Sequence, residues 1–138
     1  MKNILVLCTG NSCRSQMAHG YLEKFAGEKA KVFSAGIEAH GVNPKAVQVM
    51  KEDDIDINHH TSDKLTDYLH QPFDYVITVC DNAKENCPWF PSTARKFHKN
   101  FADPAKATGS EEEIMNAFTS VRDEIKTYCI KFVAEHVN

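Results

Sequence analysis

The sequence predicts an α/β protein, a three-layer, four-stranded parallel sheet with helices on both faces. Short apolar, β-branched runs alternate with stretches whose apolar residues recur at helical spacing. The first of those runs lacks the in-out alternation of a half-solvated strand, which suits a strand buried on both faces. The chain of 138 residues is about one domain long, with no internal repeat, low-complexity tract or linker, so 1–138 is expected to be a single domain.

Lys2 to Leu7 is the first expected strand, with Gly10 close behind it. From Ser15 the residues Met17, Ala18, Tyr21, Leu22 and Phe25 fall on one helical face, and Gly27 supplies the stop. Lys31 to Ala35 is a second strand ending at Gly36. Asn43 as N-cap and Pro44 at the first helical position then open a helix that turns Ala46, Val47 and Met50 inward. Phe73 to Val79 is the clearest strand, and Arg95 to Phe101 a weaker fourth with one polar face. Ser110-Glu111-Glu112-Glu113 is a capping box. It starts a long last helix whose stripe of Ile114, Phe118, Val121, Ile125, Cys129 and Phe132 packs on the sheet. Strands separated by helices imply right-handed crossovers, and ligands then bind beyond the carboxyl ends of the strands, where Cys8 and Cys80 stand.

The net charge of -3, with 16 basic and 19 acidic residues interspersed, provides no basic field for nucleic acid. The apolar stretch Ile4 to Leu7 is too short for a signal-peptide core or a membrane span, so a cytoplasmic protein without membrane attachment is expected. Cytosolic thiols are kept reduced, and the five cysteines therefore point to catalysis, metal binding or core filling rather than a disulfide framework. Nothing calls for an obligate dimer, and a monomer is expected.

Cys8-Thr9-Gly10-Asn11-Ser12-Cys13-Arg14-Ser15 has the form C-x5-R-S between a strand and a helix. Backbone N–H groups of Thr9, Gly10, Asn11, Ser12, Cys13 and Arg14, added to the helix N-terminus, favour a multiply charged oxyanion there. The Arg14 fork can grip two oxygens. The same field should lower the Cys8 pKa and make its thiolate a nucleophile, with the Ser15 hydroxyl donating to the sulfur and Gly10 supplying the backbone angles of a tight cradle. Cys13 reads as a buried structural thiol and Cys129 as core.

Cys8 to Ser15 resembles the phosphate-binding loop of the low-molecular-weight protein tyrosine phosphatase fold. Continued through Gln16-Met17-Ala18, it is similar to the thioredoxin-coupled arsenate reductase branch of that fold. Ser34 to Gly41, Thr61-Ser62-Asp63, Asp103-Pro104-Ala105 and Glu111 to Glu113 resemble segments of the same family, so the likeness covers nearly the whole chain.

A phosphatase needs one thiolate, an anion cradle and an acid, whereas this chain also carries Cys80 and Cys87. If the strands of Cys8 and Cys80 are neighbours, their ends lie about 4.8 Å apart and the two thiols can meet. Cys8 would attack arsenic and Cys80 the Cys8 sulfur, so that arsenite leaves. Cys87 would then attack Cys80, leaving a Cys80–Cys87 disulfide for thioredoxin to reduce. The resemblance implies the same order, and it makes Asp103 the acid that protonates the departing oxygen; by itself, an Asp before Pro equally suits a turn. No cofactor is required for this chemistry. Asp81 to Asn86 is helix-tolerant with Asp81 as N-cap. Seven helical residues span about 10.5 Å, but a disulfide needs Cα atoms within about 7 Å. The segment is therefore expected to be ordered when reduced and looped out when oxidised.

The spacings C-x4-C and C-x6-C do not match structural zinc sites, no His pair accompanies them, and His40, His59 and His60 read as solvated loop residues. The resemblance implies a potassium site at Asn11, Ser34, Thr61 and Asp63. His19, however, stands where such reductases often carry Glu, which removes a charge and an oxygen ligand. Two rival functions remain. A phosphatase would use the same cradle, but Ala105 and Lys106 replace the aromatic residues that stack on a phosphotyrosine ring, leaving at most weak phosphatase side activity. A thiol sensor would bind the oxyanion without turnover.

Overall fold

Seven regular elements follow one another in the computed structural model, which describes residues 1–81, 83 and 94–137. Strand β1 is Lys2–Cys8, helix α1 Arg14–Ala26, β2 Ala30–Gly36, α2 Pro44–Glu52, β3 Tyr75–Thr78, β4 Arg95–His98 and α3 Glu111–His136. Short 3-10 turns lie at Gly27–Lys29, Leu65–Tyr68 and Pro104–Lys106. Cys87 and most of the expected redox-sensitive segment lie outside the described residues; within that segment Asp81 and Ala83 are described, and both are helical.

The sheet order is β2-β1-β3-β4 with every pairing parallel. Register puts Ile4, Val32 and Tyr75 side by side on one face and Leu5, Phe33 and Val76 on the other. The three helices that lie wholly among the described residues belong to the first face, where α1 and α2 both pack against α3. Tyr75, Phe97 and Phe132 meet there edge to face. On the other face Phe33 packs against Tyr68 of the Leu65–Tyr68 turn and against Phe73. Leu5 and Leu7 are buried beneath this cover, which explains the uninterrupted apolar run of β1.

Capping follows the sequence closely. The Asn43 side chain accepts from the N–H groups of Lys45 and Ala46, Ser110 accepts from Glu113 N–H within a complete capping box, and Gly27 ends α1 with φ of 56°. Three details differ. In α2 it is Val49, with Ala46 and Met50, that is fully buried, while Val47 is half-exposed, because the second turn rotates past it. The regular parts of β3 and β4 are shorter than expected, since Phe73, Val79 and Phe101 pack in the core from outside the ladder. Ile114 sits at the half-buried start of the α3 stripe.

The order of strand addition reverses about β1, with β2 on one side and β3 on the other. The carboxyl ends of β1 and β3 therefore flank a crevice, and Val79 N–H to Leu7 O at 3.0 Å carries their pairing up to Cys80. No helix among the described residues is long and apolar enough to cross a membrane.

One polar node fastens the helical layer. Tyr21 on α1 donates to Asp53 at the end of α2 at 2.6 Å, and Lys126 on α3 lies 3.0 Å from the same carboxylate. The Tyr21 hydroxyl first and Lys126 after it hold the Asp53 carboxyl below its usual range, against the opposing effect of burial. A carboxylate with a lowered folded-state pKa adds stability above its unfolded pKa and loses it as pH falls through the folded value. Tyr21→Phe is expected to destabilise the protein by about 1–2 kcal/mol at neutral pH. The gap to wild type should close below about pH 4 as Asp53 protonates; urea melts across pH 3 to 7 would measure it.

Candidate active site

The loop between β1 and α1 is held by its carbonyl groups. Cys8 O accepts from Ile37 N–H, Thr9 O from Glu38 N–H, Gly10 O from His40 N–H and the Ser62 hydroxyl, Asn11 O from the Gln16 amide, Ser12 O from Asn43 N–H, and Cys13 O from Met17 N–H. A planar trans peptide points its C=O and N–H in opposite directions. Anchoring the carbonyls of residues 8 to 13 to the surrounding chain thus turns the N–H groups of residues 9 to 14 toward the loop's hollow.

Backbone strain in the loop falls on Asn11, with φ of 47°, and not on Gly10 as the sequence suggested. Asn11 can hold this left-handed conformation because its side chain is fully bonded: Nδ2 donates to Ser15 Oγ at 2.8 Å and Oδ1 accepts from Asp63 N–H at 2.8 Å. At Gly10 a Cβ would run into the His40 ring, an exposed side chain that would have to move aside. Gly36 matters more. Its missing Cβ would meet Glu38 O at 2.4 Å and Asn11 N and Thr9 O at 2.7 Å, so the loop can close on the end of β2 only over a glycine.

Helix α1 begins at the loop with Cys13 as N-cap, no side-chain cap and no acidic residue in its first turn. Helices α2 and α3 are both capped by side chains, so α1 alone of the three leaves its N-terminal donors and dipole for a ligand. Arg14 stands on this first turn, with Nη1 donating to Phe101 O at 3.0 Å and Nη2 3.7 Å from Asp103. Its Nε is the one buried side-chain polar atom among the described residues without a partner. Asp103 accepts from Ala105 N–H at 3.0 Å, which fixes it at the head of the Pro104–Lys106 turn. These groups line a cleft of about 570 Å³ together with Cys8, Thr9, Gly10, Ser12, Cys13, Cys80, Asn100 and Lys106.

Cys8 and Cys80 are 4 and 2 % exposed and free of any disulfide. They are close enough to share a proton, and the negative charge rests on Cys80. The Cys8 thiol hydrogen bond first, then the Thr9 hydroxyl at 3.3 Å, Ala83 N–H at 3.4 Å and Arg14 lower Cys80 to about 5, against the effect of burial. Cys8 is raised, first by donating to Cys80 and then by burial, although Arg14 and Thr9 N–H act the other way. The expected resting thiolate on Cys8 is therefore displaced onto its neighbour. Because Ala83 N–H bonds the Cys80 sulfur, the N-cap of the helical turn at Asp81 is Cys80 and not Asp81, whose carboxylate instead binds His98 at 2.7 Å. Ser15 is fully buried, and its oxygen accepts from Asn11 Nδ2, which leaves its own hydroxyl hydrogen to donate. Cys13 and Cys129 are buried as expected, and burial pushes Cys13 up to about 12.

Behind the loop a second polar layer was not visible in the sequence. Gln16, fully buried, donates to Asn11 O at 3.0 Å and Thr61 O at 2.9 Å and accepts from His60 Nδ1 at 3.0 Å. The His60 side chain is only 5 % exposed and stacks on His19, which corrects its assignment as a solvated loop residue; His40 and His59 are exposed as expected. Burial and the His60 ring lower His19 to about 4. Asn11, Ser34, Thr61 and Asp63 lie in this same layer, joined by hydrogen bonds. Asn11 Oδ1 holds Asp63 N–H, Ser34 Oγ bonds His19 Nδ1 at 2.8 Å, and the Asp63 carboxylate takes the Thr61 and Tyr68 hydroxyls. These bonds leave lone pairs on all four oxygens, so the set stays compatible with a potassium ion, with the His19 ring beside Ser34.

Two consequences are measurable. Gly36→Ala is expected to leave the chain folded while shifting the loop, weakening phosphate or arsenate binding by about 100-fold in calorimetry. In wild type the thiolate of the Cys8–Cys80 pair should persist down to about pH 5. Cys80→Ser, which removes the acceptor for the Cys8 proton, should lower the Cys8 pKa and speed its alkylation at neutral pH, followed by peptide mass spectrometry.

The family model described as low molecular weight phosphotyrosine protein phosphatase matches residues 3–138. An arsenate reductase of Oceanobacillus iheyensis is 52% identical over 124 residues, covering 90% of this chain and 89% of that protein. An arsenate reductase of Staphylococcus aureus strain N315 is 50% identical over 131 residues, covering 95% of each. Among solved structures, an arsenate reductase in the phosphate binding state superposes with a TM-score of 0.84 at 30% identity over the whole of both chains. By sequence and by fold the chain belongs to the low molecular weight phosphotyrosine protein phosphatase family.

Proposed function

We propose that this protein reduces arsenate to arsenite through a relay of Cys8, Cys80 and Cys87 that thioredoxin regenerates. The observation that carries this reading is the second thiol. Cys80 stands against Cys8 at the same cleft, and the donors around its sulfur lower its pKa, which favours the thiolate that an attack on sulfur requires. A phosphatase needs no such group. Relatives at about 50% identity that are named arsenate reductase support the same choice.

In the first step Cys8 sulfur attacks arsenic while the loop N–H groups and Arg14 hold the other oxygens. An oxygen leaves as water, taking the Cys8 proton and one more from solution through Asp103. In the second step the Cys80 thiolate attacks Cys8 sulfur. The sulfur–arsenic bonding pair stays on arsenic, which falls from As(V) to As(III), and arsenite leaves behind a Cys8–Cys80 disulfide. Cys87 then attacks Cys80, returning Cys8 as a thiolate, and thioredoxin supplies two electrons to the Cys80–Cys87 disulfide. Resting charge on Cys80 suits this order, because a dianion enters more easily beside a neutral sulfur and the second nucleophile is ready when the first bond has formed. The cycle so proposed needs only the chain's own groups and thioredoxin, in the cytoplasm and in a monomer.

The assay is NADPH oxidation through thioredoxin reductase and thioredoxin with arsenate as acceptor. Wild type is expected to turn over continuously, whereas Cys8→Ser, Cys80→Ser and Cys87→Ser should each lose at least about 1,000-fold in steady state. Wild-type rates in both Cys80→Ser and Cys87→Ser would overturn the relay and leave hydrolysis of phosphomonoesters as the better account.

A further inference from the structure

Outside the cleft, three side chains with metal-binding atoms gather at the rear of the anion loop. There the side chains of His19 and Glu23, one turn apart on α1, meet His60 from the segment after α2. His60 Nε2 lies 3.2 Å and His19 Nε2 3.5 Å from the same Glu23 oxygen, and the three ligand atoms all fall within 4.8 Å of one another. A zinc-type ion bound at about 2.1 Å to three such atoms keeps them roughly 3–3.5 Å apart.

The outer hydrogen bonds fix which ring nitrogens face this point. Gln16 donates its amide hydrogens to two carbonyls, Asn11 O and Thr61 O, so the atom that meets His60 Nδ1 is its acceptor oxygen. His60 Nδ1 must then carry a hydrogen, so Nε2 is the atom turned to Glu23, a lone pair in the neutral ring and a donor to the carboxylate in the imidazolium. His19 likewise places Nδ1 on Ser34 Oγ at 2.8 Å, a hydroxyl that can accept from or donate to the ring, and turns Nε2 to Glu23. With both rings neutral, two imidazole nitrogens and a carboxylate oxygen converge as the donor set of a metal ion, which would displace any proton held on Nε2. An outer acceptor on Nδ1, as Gln16 Oε1 gives His60, is also how metal-binding histidines are oriented. The His60 side chain is 5 % exposed and Glu23 half-exposed, so the point is walled on one side and reachable from the other.

We propose that His19 Nε2, His60 Nε2 and the Glu23 carboxylate form a binding site for one divalent transition-metal ion of the zinc class, completed by solvent. Two imidazoles and one carboxylate select such ions over magnesium or potassium. The site shares no ligand with the oxygen set around Asn11. Its connection to the cleft runs through Gln16, which joins His60 to the carbonyl of Asn11. Occupancy would stiffen the rear of the loop without a ligand entering the cleft.

The test is a titration of Co²⁺ into the reduced full-length protein, read by optical spectroscopy, with Zn²⁺ followed by ¹⁵N NMR of the histidine rings. One equivalent should bind with d–d bands of nitrogen and oxygen ligation and no near-ultraviolet sulfur-to-cobalt band. The Nε2 signals of His19 and His60 should move while both Nδ1 atoms stay protonated. Cys8→Ser should bind as wild type does. Glu23→Gln, at a half-exposed position that leaves the core intact, should weaken binding at least about tenfold. A sulfur-to-cobalt band alone, equal binding in Glu23→Gln, or no binding at all with Nε2 of His60 protonated would each overturn the proposal.

Discussion

The outward hold on the carbonyls of residues 8 to 13 is the constraint from which the rest of the site follows. A loop that turns its N–H groups to a common centre has no secondary structure to satisfy its carbonyls, and a buried carbonyl without a donor costs about 1–3 kcal/mol. The fold answers with donors drawn from residues far along the chain: Ile37, Glu38 and His40 just past β2, Asn43 at the head of α2, and Ser62 farther on. This is why β2 must end in glycine and why Asn11, Ser15 and Gln16 are polar yet fully buried. Each is bonded, and together they form a polar core beneath the loop in which every member depends on its neighbours.

The same economy of donors governs the sulfurs. Cys8 lies where the loop, Arg14 and the helix dipole converge, yet the resting charge settles on Cys80, which collects the Cys8 thiol, the Thr9 hydroxyl and Ala83 N–H in one place. Desolvation forbids two thiolates side by side, so a single proton between them decides which is charged. The field at Cys8 is thereby left for an incoming anion. The orphaned Arg14 Nε and the uncapped start of α1 are unsatisfied for the same reason, being donors whose acceptor arrives with the ligand.

Much of this was legible in the chain. Caps and breakers are local signals, and Asn43-Pro44, Ser110 to Glu113 and Gly27 marked element ends that the structure keeps. The strand-to-helix position of C-x5-R-S located the cleft, because a helix N-terminus with an arginine on its first turn favours anions wherever it occurs. The misses have a common cause. Gln16, Gly36 and the His19–His60 stack acquire much of their meaning from residues 25 to 45 positions away, and no periodicity encodes those partners. Gly10 was assigned the strained backbone because glycine is the usual carrier, whereas Asn11, bonded through both ends of its amide, bears it. Asp81 looked like the better cap by residue type, but a charged sulfur one position earlier takes the N–H group.

That last substitution of roles ties redox state to local structure. A thiolate is a strong acceptor for a helix N-terminal N–H because it is charged and because the helix dipole points its positive end at it. Once the Cys80 sulfur enters a disulfide it has no charge and accepts only weakly, so the turn at Asp81 and Ala83 loses the group that starts it. Asp81 cannot take over without releasing His98, which is itself held by Thr78 at 2.7 Å across β3 and β4. Oxidation at Cys80 would therefore remove, from the turn at Asp81 and Ala83, a cap for which the neighbouring residues offer no ready replacement.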